Sequence, residues 1–474
     1  MNLLKKYKIS ILIFSLALLV RLLFALPHLL TPDLSGQIIA QDGYYEIAEN
    51  LLQGQGYSRS PGAPYTADSV RTPLFPFFIL AILYLTGSYK AVLILQAVVG
   101  SFIPLFGKRI ATMLFKNRRV AIATGVVLAV EPHSAWLSNM LFTETVFTFF
   151  FLAGCVFFLT YLQNQKHNSL AWASLLFALA MLTRPTIHFL LFFFALLILW
   201  AGRQDLKRAA RNILIMFAVI FAMLLPWLFR NYLVFGKAVL STQSSLVLYA
   251  NFVPSIIALD DGISFAEGRK KFWALLGTDS VEEILPGTMN RYDEVMIAEI
   301  PKHPVGIVKS LWMTFYTFFT HDGLRSVLAH HGLFPDERAK ELTKAKIFQN
   351  PMLVFSSPAL IAIAVARALW ALASLLSFFG LYLFIKEKLK RENTVNALLP
   401  AIFMAGTVFY FLAVSAVAGL GIDARFRVPV NAFIIMFAMY FLLRLKRRFF
   451  LSWLRHKYSL SSKLSPSSYT GKID

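Results

Sequence analysis

Residues 143–162 read TETVFTFFFLAGCVFFLTYL, and they carry a single charged side chain, Glu144, near their start. An uninterrupted apolar run of about 18 or more residues is long enough to cross the hydrocarbon core of a bilayer as a helix. Membrane-spanning β-strands would instead appear as alternating segments of about 10 residues. The stretch therefore predicts a transmembrane helix.

Comparable apolar stretches recur along the whole chain. Of its 474 residues, 57% are hydrophobic and only 15% are charged, whereas soluble domains carry about 25% charged residues. We expect an all-α polytopic membrane protein, because helices satisfy their own backbone hydrogen bonds in lipid. About ten spans are predicted, at residues 9–30, 89–107, 120–137, 143–162, 170–184, 187–201, 213–232, 358–385, 397–418 and 427–443. Two shorter apolar segments, 73–87 and 305–319, are predicted to form interfacial helices.

The positions of the basic residues indicate which side of the membrane each loop occupies. Lys and Arg accumulate in cytoplasmic loops. Here they cluster near the N-terminus and in residues 108–119, 203–211, 386–391 and 444–448. This pattern predicts a transmembrane domain over residues 1–445, with loop 31–72 and segment 233–356 outside and a basic, partly disordered cytoplasmic tail at 446–474. Most of the basic side chains behind the net charge of +21 would then face anionic lipid head groups. The charge therefore does not indicate a nucleic-acid partner.

The cysteine count excludes two classes of site. Cys155 is the only cysteine, and it lies inside a predicted span. A disulfide framework and a cysteine-rich metal site are therefore both excluded. The chain also has no phosphate-binding glycine loop and no zinc-binding histidine pair of the metalloprotease type.

Loop 31–72 contains the first candidate catalytic residue. Asp42 precedes a predicted helix of about ten residues, on which Tyr45 and Ala48 share a face. An Asp in this position commonly caps the helix. A carboxylate beside a substrate hydroxyl can instead accept its proton, and Tyr45 would then line the substrate pocket. The sequence leaves both interpretations of Asp42 open.

Glu144 and His133 flank the predicted outer turn between the third and fourth spans. A carboxylate at the end of a span needs a physical reason. The positive end of the helix dipole would favour Glu144 there. The alternative is a second acid near Asp42, which polarises the substrate or holds a divalent metal. His133 is interpreted as mainly structural, with the substrate pocket as its functional alternative.

Several arginines stand at predicted outer span ends, where the charge rule disfavours them. They are Arg71, Arg184, Arg230, Arg425 and Arg427. An arginine at head-group depth can form a forked pair with a phosphate, or it can extend to lipid phosphates as an anchor. Arg184 is interpreted as such an anchor. As a group, with acids on the same side, they predict an anion site at the outer interface.

The order of these motifs resembles the GT-C superfamily of membrane glycosyltransferases, specifically the bacterial relatives of protein O-mannosyltransferase and of the lipid A aminoarabinose transferase (glycosyltransferase families 39 and 83). The motifs are an Asp after the first span with Tyr three residues on, Arg-x-Pro-x-x-Pro from Arg71, the Thr-Glu pair at Glu144, Thr-Arg-Pro at Arg184, Pro-Trp-x-x-Arg-Asn-Tyr around Arg230, and Arg-x-Arg-x-Pro from Arg425. They extend over residues 9–440, nearly the whole chain.

The resemblance implies an inverting transfer of a sugar from a polyprenyl-phosphate donor to an acceptor hydroxyl. It places the site on the periplasmic side of a bacterial cytoplasmic (inner) membrane. By match of position, the general base would be Asp42, the second acid Glu144, and the donor phosphate ligands Arg71, Arg425, Arg427 and Arg230. The acceptor is left open among protein, lipid and glycan. A divalent metal is the one cofactor considered, with unknown ligands.

A transporter or flippase of lipid-linked sugars is the alternative from another functional class. Secondary transporters place ionisable residues at mid-membrane, often in repeated halves. Here the charged residues cluster at outer span ends, with Arg367 as the main exception, and no internal repeat is visible. A glycan polymerase or ligase shares the donor type and is a third alternative.

Overall fold

The structure is a computed structural model that describes residues 2–31, 42–278, 289–334, 351–392 and 395–445. Within these ranges the chain is almost entirely helical, and its β-pairing is limited to one bridge between Ser58 and Ala67. The helices are α1 (Asn2–Leu30), α2 (Tyr44–Leu52), α3 (Leu74–Thr86), α4 (Tyr89–Phe115), α5 (Arg118–Val130), α6 (Pro132–Leu137), α7 (Glu144–Asn164), α8 (His167–Thr183), α9 (Leu190–Ala201), α10 (Leu206–Phe235), α11 (Gln243–Asp261), α12 (Phe265–Leu276), α13 (Met289–Glu299), α14 (Pro304–Thr320), α15 (Leu324–His330), α16 (Pro358–Glu392), α17 (Leu399–Gly421) and α18 (Val428–Leu445).

The all-α, multi-pass architecture is confirmed. Among the described residues, seven helices are long and apolar enough to cross a membrane, namely α1, α4, α7, α10, α16, α17 and α18. The other three predicted spans coincide with α8, α9 and the pair α5–α6. These helices have 17, 12, 13 and 6 residues, fewer than the roughly 20 that cross a bilayer without tilt or thinning. The two shorter apolar segments form α3 and α14.

The predicted third span is divided in two at Glu131. Its carboxylate oxygens accept hydrogen bonds from the backbone N–H groups of His133, at 3.0 Å, and Ser134, at 2.8 Å. These bonds satisfy N–H groups that a new helix would leave without partners, and Pro132 occupies the first turn of α6, where a missing N–H costs nothing. The local sequence therefore ends α5 and starts α6 within two residues.

Aromatic side chains build the core around α7. Phe147, Phe151 and Phe158 are fully buried, and the ring of Phe158 stacks on that of Phe194 with centroids 4.9 Å apart. At Gly154 an added Cβ would lie 2.7 Å from the Phe177 ring, so a glycine is needed for α7 and α8 to pack this closely. Because the two helices are antiparallel, the start of α7 and the end of α8 meet at one end of the bundle.

The predicted outer segment folds into short helices that pack on the bundle. Helices α11 and α12 meet at an angle of 117°. The Ser264 side chain accepts a hydrogen bond from the Glu267 N–H, and the Glu267 side chain accepts one from the Ser264 N–H. This pattern fixes the start of α12. The Ser255 hydroxyl oxygen accepts a hydrogen bond from the Leu420 N–H at 2.9 Å, which ties this segment to α17. The predicted tail at 446–474 lies outside the described residues, and the domain limits stay predictions.

Candidate active site

The site is centred on Asp42, which lies in the turn before α2. The helix does not use Asp42 as its cap, because Gly43 occupies the cap position with a φ of 74° and no side chain caps the helix. The capping interpretation of Asp42 is therefore wrong. Its carboxylate instead lies 3.5 Å from Nη2 of Arg425, and 30% of its side chain is exposed. Asp42 is thus available both to a cation and to a substrate.

Glu144 begins α7 and is almost completely buried. Its Oε1 lies 2.5 Å from Nη1 of Arg184 and 3.0 Å from Nε of Arg425. A buried carboxylate is costly unless it is paired, so the two guanidiniums explain how Glu144 is tolerated. Its second oxygen, Oε2, is buried without a hydrogen-bond partner in the described structure. The interpretation of Arg184 as a surface anchor is wrong, since the side chain turns inward to this acid.

Arg425 connects the two acids. It lies in the short turn Ala424–Phe426, which Asp423 caps by accepting the Arg425 N–H at 2.7 Å. Its guanidinium lies 4.6 Å from the centre of the Phe142 ring. Burial acts to lower the pKa of Arg425, but the carboxylates of Glu144 and Asp42 raise it above its ordinary value. The guanidinium therefore stays charged at any pH at which the protein is folded.

Arg71 holds the backbone of the same turn. Its Nε–H donates to the carbonyl oxygen of Asp42, and its guanidinium lies 5.5 Å from the centre of the Tyr44 ring. The Arg71 backbone is itself fixed, because its N–H donates to Oδ1 of Asp68 at 2.7 Å. Arg71 therefore positions Asp42 through the main chain.

The tyrosine beside this cluster is Tyr44, not the predicted Tyr45. Tyr45 is buried in the contact between α2 and α3. Burial raises the pKa of Tyr44 to about 12, with further effects from the charges of Arg71 and Asp42. Its hydroxyl is therefore a neutral hydrogen-bond donor at the site. The family motif, a tyrosine three residues after the aspartate, pointed to Tyr45, and its place in a substrate pocket stays a prediction.

Arg230 and Arg427 make other contacts. Arg230 lies over the rings of Tyr57 and Trp227, at 5.2 and 4.8 Å, and donates to the Asp68 carbonyl at 3.0 Å. Arg427 is buried, and its guanidinium donates to the Phe318 carbonyl, to the His321 carbonyl at 2.6 Å and to the Asn431 side chain at 3.0 Å. The structure gives neither guanidinium a contact with Asp42 or Glu144, so their roles as phosphate ligands stay predictions.

His133 lies in a tightly packed position on α6. It is 3% exposed, and an added Cβ at Gly323 would lie 2.2 Å from its ring. Its ring also stacks near Trp136, with centroids 5.7 Å apart. These contacts are those of a packing residue, in line with the structural interpretation, and its place in a substrate pocket stays a prediction.

The same residues are poorly arranged to hold a divalent metal. The carboxylates of Asp42 and Glu144 both face the guanidinium of Arg425, which occupies the position a cation would take. Among the described residues, the group with metal-ligand spacing is Asp260, Asp261 and His303, and none of these is a site residue. The guanidiniums of Arg71, Arg184 and Arg425 face the carboxylates of Asp42 and Glu144 and the adjacent Asp423, so the cluster has three basic and three acidic side chains.

Comparisons with known proteins agree with this architecture. Residues 70–229, about a third of the chain, match the family model of dolichyl-phosphate-mannose-protein mannosyltransferases. This segment contains Arg71, Glu144 and Arg184. No curated protein matches the chain.

One solved structure supports the fold, and a second one is also similar to the chain. The apo crystal structure of the Archaeoglobus fulgidus oligosaccharyltransferase aligns with a TM-score of 0.50 and 12% identity, covering 99% of this chain and 54% of that one. The archaeal oligosaccharyltransferase AglB from the same organism, in complex with an inhibitory peptide and a dolichol-phosphate, aligns with a TM-score of 0.48 and 13% identity, covering 99% and 53%. This chain spans about half the length of these enzymes. The chain is thus a multi-pass membrane protein whose residues 70–229 are similar to dolichyl-phosphate-mannose-protein mannosyltransferases and whose fold is similar to that of the apo oligosaccharyltransferase.

Proposed function

We propose that this protein transfers a sugar from a polyprenyl-phosphate donor to an acceptor hydroxyl at the outer face of the cytoplasmic membrane, with inversion at the sugar carbon. One observation carries the proposal. Asp42 is partly exposed and does not cap its helix. It contacts Arg425, whose guanidinium is positioned by the buried Glu144. A base and a phosphate-binding cation are thus adjacent.

The proposed reaction assigns one task to each side chain. The acceptor oxygen attacks the anomeric carbon while Asp42 takes the hydroxyl proton. The bond between that carbon and the phosphate oxygen breaks, and the polyprenyl phosphate leaves with the electron pair. Arg425 faces the negative charge that accumulates on the phosphate, where a fixed cation is most effective. The proton, the sugar and the leaving group are then all accounted for.

Glu144 and Arg184 act on Arg425 rather than on the substrate in this proposal. Glu144 pairs with both guanidiniums, so it fixes the direction in which Arg425 points. Arg71 performs the equivalent task for Asp42 through the backbone. Such support is what holds a catalytic group near its productive geometry.

The donor and acceptor classes are supported by the matched family. Its description names a dolichyl-phosphate-linked mannose as donor and a protein as acceptor. A polyprenyl phosphate suits a site rich in arginine at the end of a membrane bundle, because the lipid places its phosphate at head-group depth. The outer location is supported by basic clusters at the N-terminal end of α1, which precedes Asp42, and after α18, which follows Arg425.

We expect Asp42→Asn to abolish transfer without affecting folding, because the amide keeps the shape of the carboxylate and cannot take a proton. The measurement is release of labelled sugar from polyprenyl-phosphate donors to extracted acceptors, using purified full-length protein. Asp261→Asn is the matched control, since it also removes one carboxylate, on α11, where Asp261 pairs with Lys271 at 2.8 Å. Equal activity of the Asp42→Asn variant and the wild type would remove Asp42 from the mechanism.

Detergent solution distinguishes this proposal from a transporter. A micelle has no two compartments, so a transporter or flippase yields no new covalent product there. We expect the wild-type protein in detergent to form a glycosylated acceptor and free polyprenyl phosphate. A donor that is moved between the leaflets of a vesicle but never cleaved would favour the flippase instead.

A further inference from the structure

Three imidazoles meet away from the active site, at the end of α1. His28 lies two residues before the end of Tyr7–Leu30, the apolar part of α1, and His330 and His331 stand at the end of α15. The ring centroids of His28 and His330 are 4.8 Å apart, those of His330 and His331 are 5.1 Å apart, and those of His28 and His331 are 6.2 Å apart. These residues are separated by about 300 positions in sequence, so the fold alone assembles the group.

Two of the three separations, 4.8 and 5.1 Å, match those of imidazoles around one metal ion, and the third, 6.2 Å, is wider. As the rings stand, their ligand nitrogens do not all lie within 4.8 Å of one another, so a metal would have to draw them together. With zinc–nitrogen bonds of about 2.0–2.1 Å and tetrahedral angles, the ring centroids of two ligands lie about 5 Å apart. Nε2 of His28 and Nε2 of His330 already lie 2.8 Å apart, slightly closer than two ligands of one ion. A small outward movement of the two rings would make room for the metal between them.

The third imidazole has an unused ligand atom. Nε2 of His331 is buried and has no hydrogen-bond partner in the described structure. A buried polar atom without a partner costs free energy, and a bound metal would remove that cost. A rotation of the His331 ring in place would turn Nε2 towards the other two rings.

The residues around the three imidazoles are mostly apolar, and they leave an opening through which an ion could reach the rings. A cavity of about 630 Å³ is lined by the three histidines together with Leu23, Phe24, Pro27, Thr31 and Leu333. The apolar side chains limit competition by water, while the opening gives an ion a path to the rings. Trp136 and Phe24 pack beside the rings of His330 and His331, with centroids 5.8 and 6.0 Å apart.

We propose that His28, His330 and His331 bind one transition-metal ion of the zinc class and thereby join the outer end of α1 to the end of α15. Three neutral nitrogen ligands suit Zn²⁺, Co²⁺, Ni²⁺ or Cu²⁺, whereas Mg²⁺ and Ca²⁺ prefer oxygen. A fourth position stays open towards the cavity. The ion cross-links two elements that are distant in sequence, so its role is structural support of this end of the bundle.

The carboxylate and histidine group at Asp260, Asp261 and His303 is the rival metal site in the described structure. Its ligand atoms are already engaged. Both ring nitrogens of His303 contact carboxylates, at 3.0 Å to Asp260 and 3.2 Å to Glu299, and Asp261 pairs with Lys271 at 2.8 Å. The contacts of His303 with two acids, and of Asp261 with Lys271, account for this group without a metal.

The test uses purified full-length protein in detergent, stripped with a chelator and then titrated with ZnCl₂ by calorimetry. We expect one Zn²⁺ per chain and at least tenfold weaker binding in His28→Ala and in His330→Ala. Asp260→Asn tests the rival site, and His188→Ala is the matched control for loss of a histidine; both should bind like the wild type. Thermal unfolding with and without zinc reports whether each variant is folded.

A spectroscopic measurement on the wild type covers the case in which a histidine variant does not fold. CoCl₂ in place of zinc should give the absorption of a tetrahedral, nitrogen-rich site, and X-ray absorption at the zinc edge should show imidazole scattering. An octahedral, oxygen-rich spectrum would overturn the proposal. So would zinc binding that persists in His28→Ala and disappears in Asp260→Asn.

Discussion

Arg425 contacts both acids of the candidate active site, and the shape of its side chain explains why an arginine stands there. Its Nη2 faces Asp42 and its Nε faces Glu144. A guanidinium presents several donors in a fixed plane, whereas an ammonium is a single point of charge on a flexible chain. A lysine in this position could satisfy one acid but would leave the other without its partner.

We expect Arg425→Lys to lower kcat/KM for the donor by roughly 10²-fold, the usual cost of removing one donor that stabilises developing charge. Arg425→Gln should lower it further, because it also leaves buried Glu144 with fewer positive neighbours. Arg325→Lys is the matched control, since Arg325 is exposed on α15. Equal donor kinetics for Arg425→Lys and Arg325→Lys would show that Arg425 does not meet the phosphate.

Residue types and motif order were predictable from the sequence, but side-chain direction was not. Arg425 and Arg427 are two residues apart, yet a tight turn over Ala424–Phe426 directs one to Asp42 and the other to main-chain carbonyls. The pairing of Glu144 with Arg184 joins two helices across their ends, and no local spacing encodes it. Tyr44 was missed for the same reason, since α2 presents it, and not Tyr45, to the site.

The turn that starts α2 shows how one element sets the position of Asp42. Gly43 has a positive φ, and an added Cβ would lie 2.4 Å from Cδ of Arg59. Arg59 in turn pairs with Asp68, which holds the Arg71 backbone. Glycine is therefore needed at position 43 both for the backbone conformation and for the space that Arg59 occupies. Through Arg59 and Asp68, these contacts link Gly43 to Arg71, which fixes the position of Asp42.

We expect Gly43→Ala to lower both the melting temperature and the transfer rate, whereas Gly54→Ala should affect stability alone. Each substitution forces alanine into the left-handed region, at a cost of roughly 1–2 kcal/mol. Gly54 has a similar φ, of 77°, with no atom within 4 Å of an added Cβ, so it isolates the conformational cost. Thermal unfolding and donor turnover are measured for both variants. Equal loss of turnover in the two would show that the Arg59 contact does not act on the site.

At the scale of the whole molecule, hydropathy predicted the number and order of the helices better than their lengths. All ten apolar segments form helices, but α8, α9 and the α5–α6 pair are short. Their lengths depend on where caps such as Glu131 stop or start a helix, and on how neighbouring helices cover them. The convergence of the first, fourth, fifth and last predicted spans at one end followed from the alternating topology, because successive spans return to the same side.

Whether α3 crosses the membrane decides on which side α4 ends and α7 begins. α3 has 13 residues, about 20 Å at 1.5 Å per residue, which is less than the roughly 30 Å of the hydrocarbon core. If α3 does not cross, then α4 carries the chain inward, and its end at Phe115 lies in the cytoplasm with the basic residues that follow. Glu144 then begins α7 on the side that α1 gives to Asp42, as their shared contact with Arg425 requires.

We expect Thr112→Cys to react with a membrane-impermeant maleimide only after the membrane is opened, and Gln55→Cys to react in intact cells. Thr112 is exposed near the end of α4, Gln55 is exposed just after α2, and the native Cys155 is buried, so neither measurement needs a cysteine-free background. Two competing arrangements give opposite results, because a crossing α3 would move Thr112 outside and place the basic cluster there against the charge rule. Labelling at Thr112→Cys in intact cells would therefore show that α3 spans the membrane. It would also place Glu144 on the side opposite Asp42, against the contact that both acids make with Arg425.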